Sequence, residues 1–107
     1  NVYVNAKKDL SSTSVTTLYT APALTTAIVK SILVSEDSGN ADTITVTITD
    51  AESSPATFSV FKTKAVSANN TVELLTGPLV VQTGEALKVT AATANRLHVV
   101  ASILEVS

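Results

Sequence analysis

One histidine, nine carboxylates and no cysteine bound the chemistry open to these 107 residues. An imidazole beside a hydroxyl and a carboxylate is the raw material of a nucleophilic triad, and serine, threonine and aspartate are abundant here. A triad also needs a turn that presents the nucleophile. No G-x-S-x-G stretch occurs, and His98 sits between Leu97 and Val99 in an apolar run, which makes it a structural side chain on a half-covered or subunit-facing strand. Acidic residues gather at Glu36/Asp37, Asp42 and Asp50/Glu52, where a hard cation such as calcium would look for oxygen ligands. The D-x-[DN]-x-[DN]-G spacing of a calcium loop is missing, so these read as turn carboxylates that also guard strand ends against edge pairing. Without cysteine there is no disulfide, thiolate metal site or thiol nucleophile. No catalytic residue, cofactor-binding residue or metal ligand is assigned, and an enzyme is not expected.

The remaining short motifs are structural. "NNT" at Asn69 to Thr71 has the form of a glycosylation acceptor but reads as a turn leading into "TVELL". Gly77 and Gly84 lie around the two ends of "LVVQ" with no helix behind them to cradle a phosphate, so they are turn residues. Tyr3, Tyr19, Phe58 and Phe61 form no stacking platform for bases or sugars. Phe58 and Phe61 differ in parity, which sends one toward the core and the other toward an interface.

Elements that could position any of these side chains are strands. In "DTITVTITD", residues 42 to 50, Ile44, Val46 and Ile48 alternate with Thr43, Thr45, Thr47 and Thr49; one set packs inward and the other faces solvent. Similar runs place strands at about 12–20, 26–35, 57–63, 71–76, 79–82, 86–91 and 96–106. Two of them are apolar on both faces. In 26–35, Ile28, Ile32 and Val34 oppose Ala27, Val29 and Leu33; in 96–106, Leu97, Val99 and Ile103 oppose Val100, Leu104 and Val106. Such strands call for cover on both sides. The turn clusters "SEDSGNAD", "DAESSPA", "SANN", "TGP" and "QTGE" recur every 8 to 14 residues or so, the rhythm of an antiparallel sandwich or barrel. The expected fold is all-β, an antiparallel β-sandwich of about seven to nine strands, jelly-roll-like or immunoglobulin-like. Residues 1–9 form an N-terminal arm or edge strand ahead of one sandwich domain at 10–107.

Composition excludes several classes of partner. Charged residues are 15% of the chain, net charge is -2, and threonine supplies about one residue in six, so the surface is neutral and hydroxyl-rich. Lys7-Lys8 and Lys62/Lys64 are too sparse to neutralise a nucleic-acid backbone. No apolar run approaches the roughly 18 residues of a membrane span, and "NVYVNAKKDL" lacks the pattern of a signal peptide, so a soluble, unprocessed chain is expected.

The segments "TSVTTLYTAPALTTAIVKSILVSED" and "TITVTITD", with the ending "GEALKVTAATANRLHVVASILEVS", resemble a group of small virion structural proteins of tailed bacteriophages. The likeness runs from about Ser12 to Ser107. In that group "TLYT-P-TTA-V-S" opens the domain, "G-L-L-G-LV-GE-L-VTA" fills the middle and "VV-S-LE" closes it; the middle here reads "TVELLTGPLVVQTGEALKVTA", without the leading glycine. The resemblance implies a protein made in the host cytoplasm and carried on the particle surface, decorating or cementing the capsid. Its partner would be the major capsid protein or another virion protein, and it would form a homo-oligomer such as a trimer. The alternative is a tail-, neck- or fibre-associated structural module or one that binds a receptor or carbohydrate. The candidate interface residues are Val2, Tyr3, Val4, Lys7, Lys8 and His98, the first five on an arm that could add a strand to a neighbouring sheet or fold back on its own.

The facing assigned to 42–50 is directly testable. Val46→Asp buries an unpaired charge at a cost of several kcal/mol, against a total stability of roughly 5 to 15, and unfolds or aggregates the protein. Thr45→Asp is far milder. Thermal melts of the two variants check this, and equal shifts would contradict the assignment.

Overall fold

Alternating side chains need a second sheet to pack against, and the chain supplies two. The computed structural model describes residues 1–107. Its strands are β1 (Val2–Asp9), β2 (Thr16–Thr20), β3 (Thr26–Glu36), β4 (Asp42–Thr49), β5 (Thr57–Val66), β6 (Thr71–Glu73), β7 (Leu79–Val81), β8 (Ala86–Ala91) and β9 (Leu97–Val106), all antiparallel. One sheet has the order β1-β9-β3-β6, with β7 also on β3; the other is β2-β8-β4-β5. Between them lies one hydrophobic core that includes Val29, Ile32 and Val34 of β3, Ile44 and Val46 of β4, Leu87 and Val89 of β8, and Leu97, Val99 and Ile103 of β9. The inward and outward sets assigned to 42–50 match these positions: Ile44 and Val46 are fully buried, Ile48 near the end is half-buried, and the threonines face outward.

The order has a simple logic. With the β4–β5 hairpin as the tip, β3 pairs β6 and β7, β2 pairs β8, and β1 pairs β9, so each strand bonds the one about equally far along the chain on the other side of the tip. The chain is one long hairpin rolled up, and the β3–β9 and β4–β8 ladders close the roll. With β6 and β7 taken as one interrupted strand, this is the double Greek key of a jelly roll and not the immunoglobulin arrangement.

Bulges decide the facing where alternation reads ambiguously. The β3–β9 register shifts between Val29 and Ser31, so Ala27 and Val29 before the shift and Ile32 and Val34 after it all point inward. The two-faced pattern of 26–35 is therefore largely one buried face with an extra residue inserted, leaving Ile28 and Leu33 outward. In β5, register shifts opposite Ile44–Thr47 pair Phe61 with Val46 and Phe58 with Ile48, both inward-phased partners. Phe61 packs on the core while Phe58 at the strand's start stays largely exposed, the division expected of the pair, although the register shifts and not simple parity produce it. Thr63 adopts φ +49° within this irregular stretch and its amide donates to Thr45 Oγ1 at 3.1 Å. The strand placed at 12–20 begins at Thr16 because serines upstream bond locally: Ser14 N donates to Ser12 Oγ, and Thr16 Oγ1 to Ser14 O.

Carboxylates mend the places where ladders stop. Between β6 and β7 the edge of β3 is bare, and there Glu73 Oε2 accepts from Ile32 N at 2.8 Å while Oε1 accepts from the Ser31 hydroxyl. At the sandwich end, buried Glu36 accepts from Asn69 N and Gly39 N at 3.0 Å and from Ser38 N at 2.8 Å. Asp42 accepts from Thr93 N at 3.1 Å, tying a third loop to the same end. Burial pushes the Glu36 carboxyl up, but these bonds and the Ser38 hydroxyl outweigh it and hold it at about 2 against an ordinary 4.5. Burial likewise raises Glu73, and the Ser31 hydroxyl with the Ile32, Leu75 and Leu74 amides brings it below its ordinary value. Across the sheets, Tyr19 Oη donates to Glu105 Oε2 at 2.5 Å, and burial followed by this bond and the Glu105 charge pushes the phenol upward.

Because the folded value of Glu36 lies below the unfolded one, its contribution to stability is complete above pH 4.5 and disappears as pH falls through about 2. Glu73 acts in the same direction. Glu36→Gln should lower the melting temperature at pH 7 and flatten its acid limb, the two proteins converging near pH 2. Thermal melts across that range check the expectation, and parallel curves for the two proteins would contradict it.

Candidate interaction surface

Antiparallel pairing puts the outward side chains of neighbouring strands side by side, and on the β1-β9-β3 sheet they form rows. One row runs Tyr3, Leu104, Ile28, Val80; the next Asn5, Ser102, Ser31; the third Lys7, Val100, Leu33, Glu73; the last Asp9, His98, Ser35, Thr71. Tyr3 is 73% accessible, Val80 50%, Leu33 40% and Val100 38%, so half of the chain's eight exposed large apolar side chains stand on this one face. The outward positions of β4 and β8 carry none of them. There Thr43, Thr45, Thr47, Thr49 and Thr90 present hydroxyls, and Thr49 Oγ1 bonds Thr57 Oγ1 at 3.0 Å. The two faces thus have different chemistry although both belong to low-charge strands. The exposed apolar side chains lie in two rows separated by the polar Asn5, Ser102 and Ser31, a mixed surface of the kind that can meet another protein.

The candidate interface residues divide by where the β1–β9 register aims them. β1 lies on the edge of its own sheet, paired with β9 from Val2–Glu105 to Asp9–His98. Tyr3 and Lys7 face outward, and Lys7 Nζ donates to Asn5 Oδ1 at 3.1 Å. Val4 is opposite Ile103 and packs against the core, which removes it from the outer face. Val2 and Lys8 share its phase but lie toward the ends of β1 and remain exposed. His98 closes the polar row, its Nε2 3.3 Å from Asp9 Oδ1 and its Nδ1 3.5 Å from Asp37 Oδ2. Both ring nitrogens face carboxylates. Its register neighbour Ser35 bonds Thr71 at 3.0 Å. A shallow groove of about 320 Å³ runs beside this cluster between Lys7, Lys8, Asp9 and Val100. No three His, Cys, Asp or Glu side chains are arranged to hold a metal ion.

Sequence reasoning named His98 and the start of β1 but missed Val80, Asp9 and Asp37. The second apolar set in 26–35 and 96–106 was the available signal for this face; the carboxylates around His98 come from distant segments and leave no local pattern. Comparison with models of known families and with curated proteins finds no match to this chain.

The His98 cluster is exposed, and ion pairs of that kind contribute at most about 1 kcal/mol. His98→Ala should leave the denaturation midpoint nearly unchanged in urea titration. A loss well above that value would show that the cluster anchors β1 to the sheet.

Proposed function

We propose that this chain is a non-enzymatic structural protein of a tailed-phage particle that attaches to the capsid surface through the outward face of β1, β9 and β3. The single observation that carries the reading is the pair of apolar-bearing rows on that face, beside a threonine-covered face that asks for no partner. The sequence resemblance supplies the particle, and the jelly-roll order suits a passive attachment module. The partner is then the major capsid protein or another virion protein, met by shape and apolar contact. Few charges and no paired nucleophile and base fit that role.

A tail or fibre module that binds a receptor or glycan with its loops is the second reading. It draws on one observation: Leu24, at the tip between β2 and β3, is 89% exposed and holds φ +57°, and Phe58 is 55% exposed. Cryo-electron microscopy of the particle separates the two, since density confined to the tail would remove the capsid assignment.

In a particle-binding assay, Val100→Glu should weaken attachment at least about tenfold, because a charge placed within an apolar contact is left desolvated. Val100 faces outward between Lys7 and Leu33, so the new carboxylate has no like charge directly opposite it and the melting temperature should stay close to that of the parent. Undiminished binding with normal folding would rule out this face.

A further inference from the structure

Each sheet has two edges, and three of the four are obstructed. On the far side of β3 the edge is broken into β6 and β7, three residues each, with Gly77 and Pro78 between them. β2 has five residues, a register shift between Thr17 and Tyr19, and Pro22 soon after. β5 carries two register shifts, a left-handed Thr63 and the exposed Lys62 and Lys64. Bulges, prolines, brevity and lysines are the devices by which sheet edges avoid pairing with other chains. β1 has none of the first three. Its eight residues pair β9 without a register shift, leaving the backbone groups on its other side unbonded along roughly 26 Å.

We infer that this edge pairs with β1 of a second copy, antiparallel about a two-fold axis near Val4 and Asn5. An extended strand is what an open ladder edge binds, and with the other three edges of the molecule obstructed, β1 of another copy is the matching surface. The charges then limit the direction and the register, and coverage of Val2 and Tyr3 narrows them further. Parallel in-register pairing stacks Lys7 on Lys7 and Lys8 on Lys8, and antiparallel pairing centred on one of these lysines stacks that lysine on its own copy. Keeping the outward face continuous requires partners of the same parity. An axis at Val4 places Tyr3 beside Asn5 and Val2 beside Ala6; an axis at Asn5 places Tyr3 beside Lys7 and Val2 beside Lys8. Both cover Val2 and Tyr3, which are 57% and 73% accessible, and neither sets like charges together. The result joins the two β1-β9-β3 sheets into one, with both copies' apolar rows on the same side. The inference is independent of what that face attaches to.

Light scattering of the purified full chain at ~100 µM should give twice the monomer mass. Asn5→Lys places like charges at or beside the axis on an exposed position, and should weaken the dimer at least about tenfold with an unchanged melting temperature. Since the chain has no cysteine, engineered thiols provide a second measurement. On mild oxidation, Asn5→Cys alone or with Tyr3→Cys should yield a covalent dimer, and Lys64→Cys on the β5 edge should not. A monomer at that concentration, a trimer, a dimer indifferent to Asn5→Lys, or equal cross-linking at Lys64→Cys would each overturn the inference.

Discussion

The ladder between β3 and β9 holds the rest of the structure in place. It runs from Thr26 opposite Val106 to Glu36 opposite Leu97, joining the first third of the chain to its last strand. Without it the long hairpin would stay an open ribbon with its apolar side in water. With it, β1 gains a sheet to border, β6 and β7 gain a strand to flank, and the Val29, Ile32 and Val34 side chains meet Val99, Ala101 and Ile103 in the core. The loop-closure entropy of such a distant pairing is offset by apolar burial and not by local propensity. Tyr19 bonded to Glu105 then fastens the second sheet to the same ladder.

That ladder is also where the facing of the molecule is decided. A perfectly alternating β3 could not bury both Val29 and Ile32, since they are an odd number of residues apart. The register shift at Lys30 resolves the conflict and leaves a gap in the edge opposite, which Glu73 fills by accepting from Ile32 N while Leu74 N donates to Ile32 O. One inserted residue therefore has three consequences: a continuous core, an interrupted edge at β6 and β7, and an outward Ile28 and Leu33. The lowered carboxyl of Glu73 reflects its place as a substitute for ladder bonds.

What the sequence made legible follows from what is local. Period-two alternation sufficed for β4, and the turn clusters located most strand breaks, so the β-sandwich class and the approximate strand positions could be read directly. Register shifts depend on a partner strand, which is why 26–35 reads as two-faced in sequence and why parity alone does not account for the buried Phe61 and the exposed Phe58. The loop carboxylates Glu36 and Asp42 looked like solvated turn residues, yet both are buried and capped by amides from loops up to 51 residues away. His98 could be placed on a strand; its flanking Asp9 and Asp37 could not, because only the fold brings them together.

Composition alone describes a neutral, threonine-rich surface, and the fold divides it. Threonine is tolerated on a pleated, solvated face because its branched Cβ suits the strand while its hydroxyl keeps water bound, so β4 and β8 can remain bare. Valine, leucine and tyrosine outward on β1, β9, β3 and β7 meet the same pleat requirement without that hydration. Propensity for the strand is equal on the two sides, so the difference between them contributes little to forming either sheet. Its physical effect is on the finished surface in water: on one sheet hydroxyls keep hydrating water bound, and on the other apolar side chains stand against water that gains nothing from them.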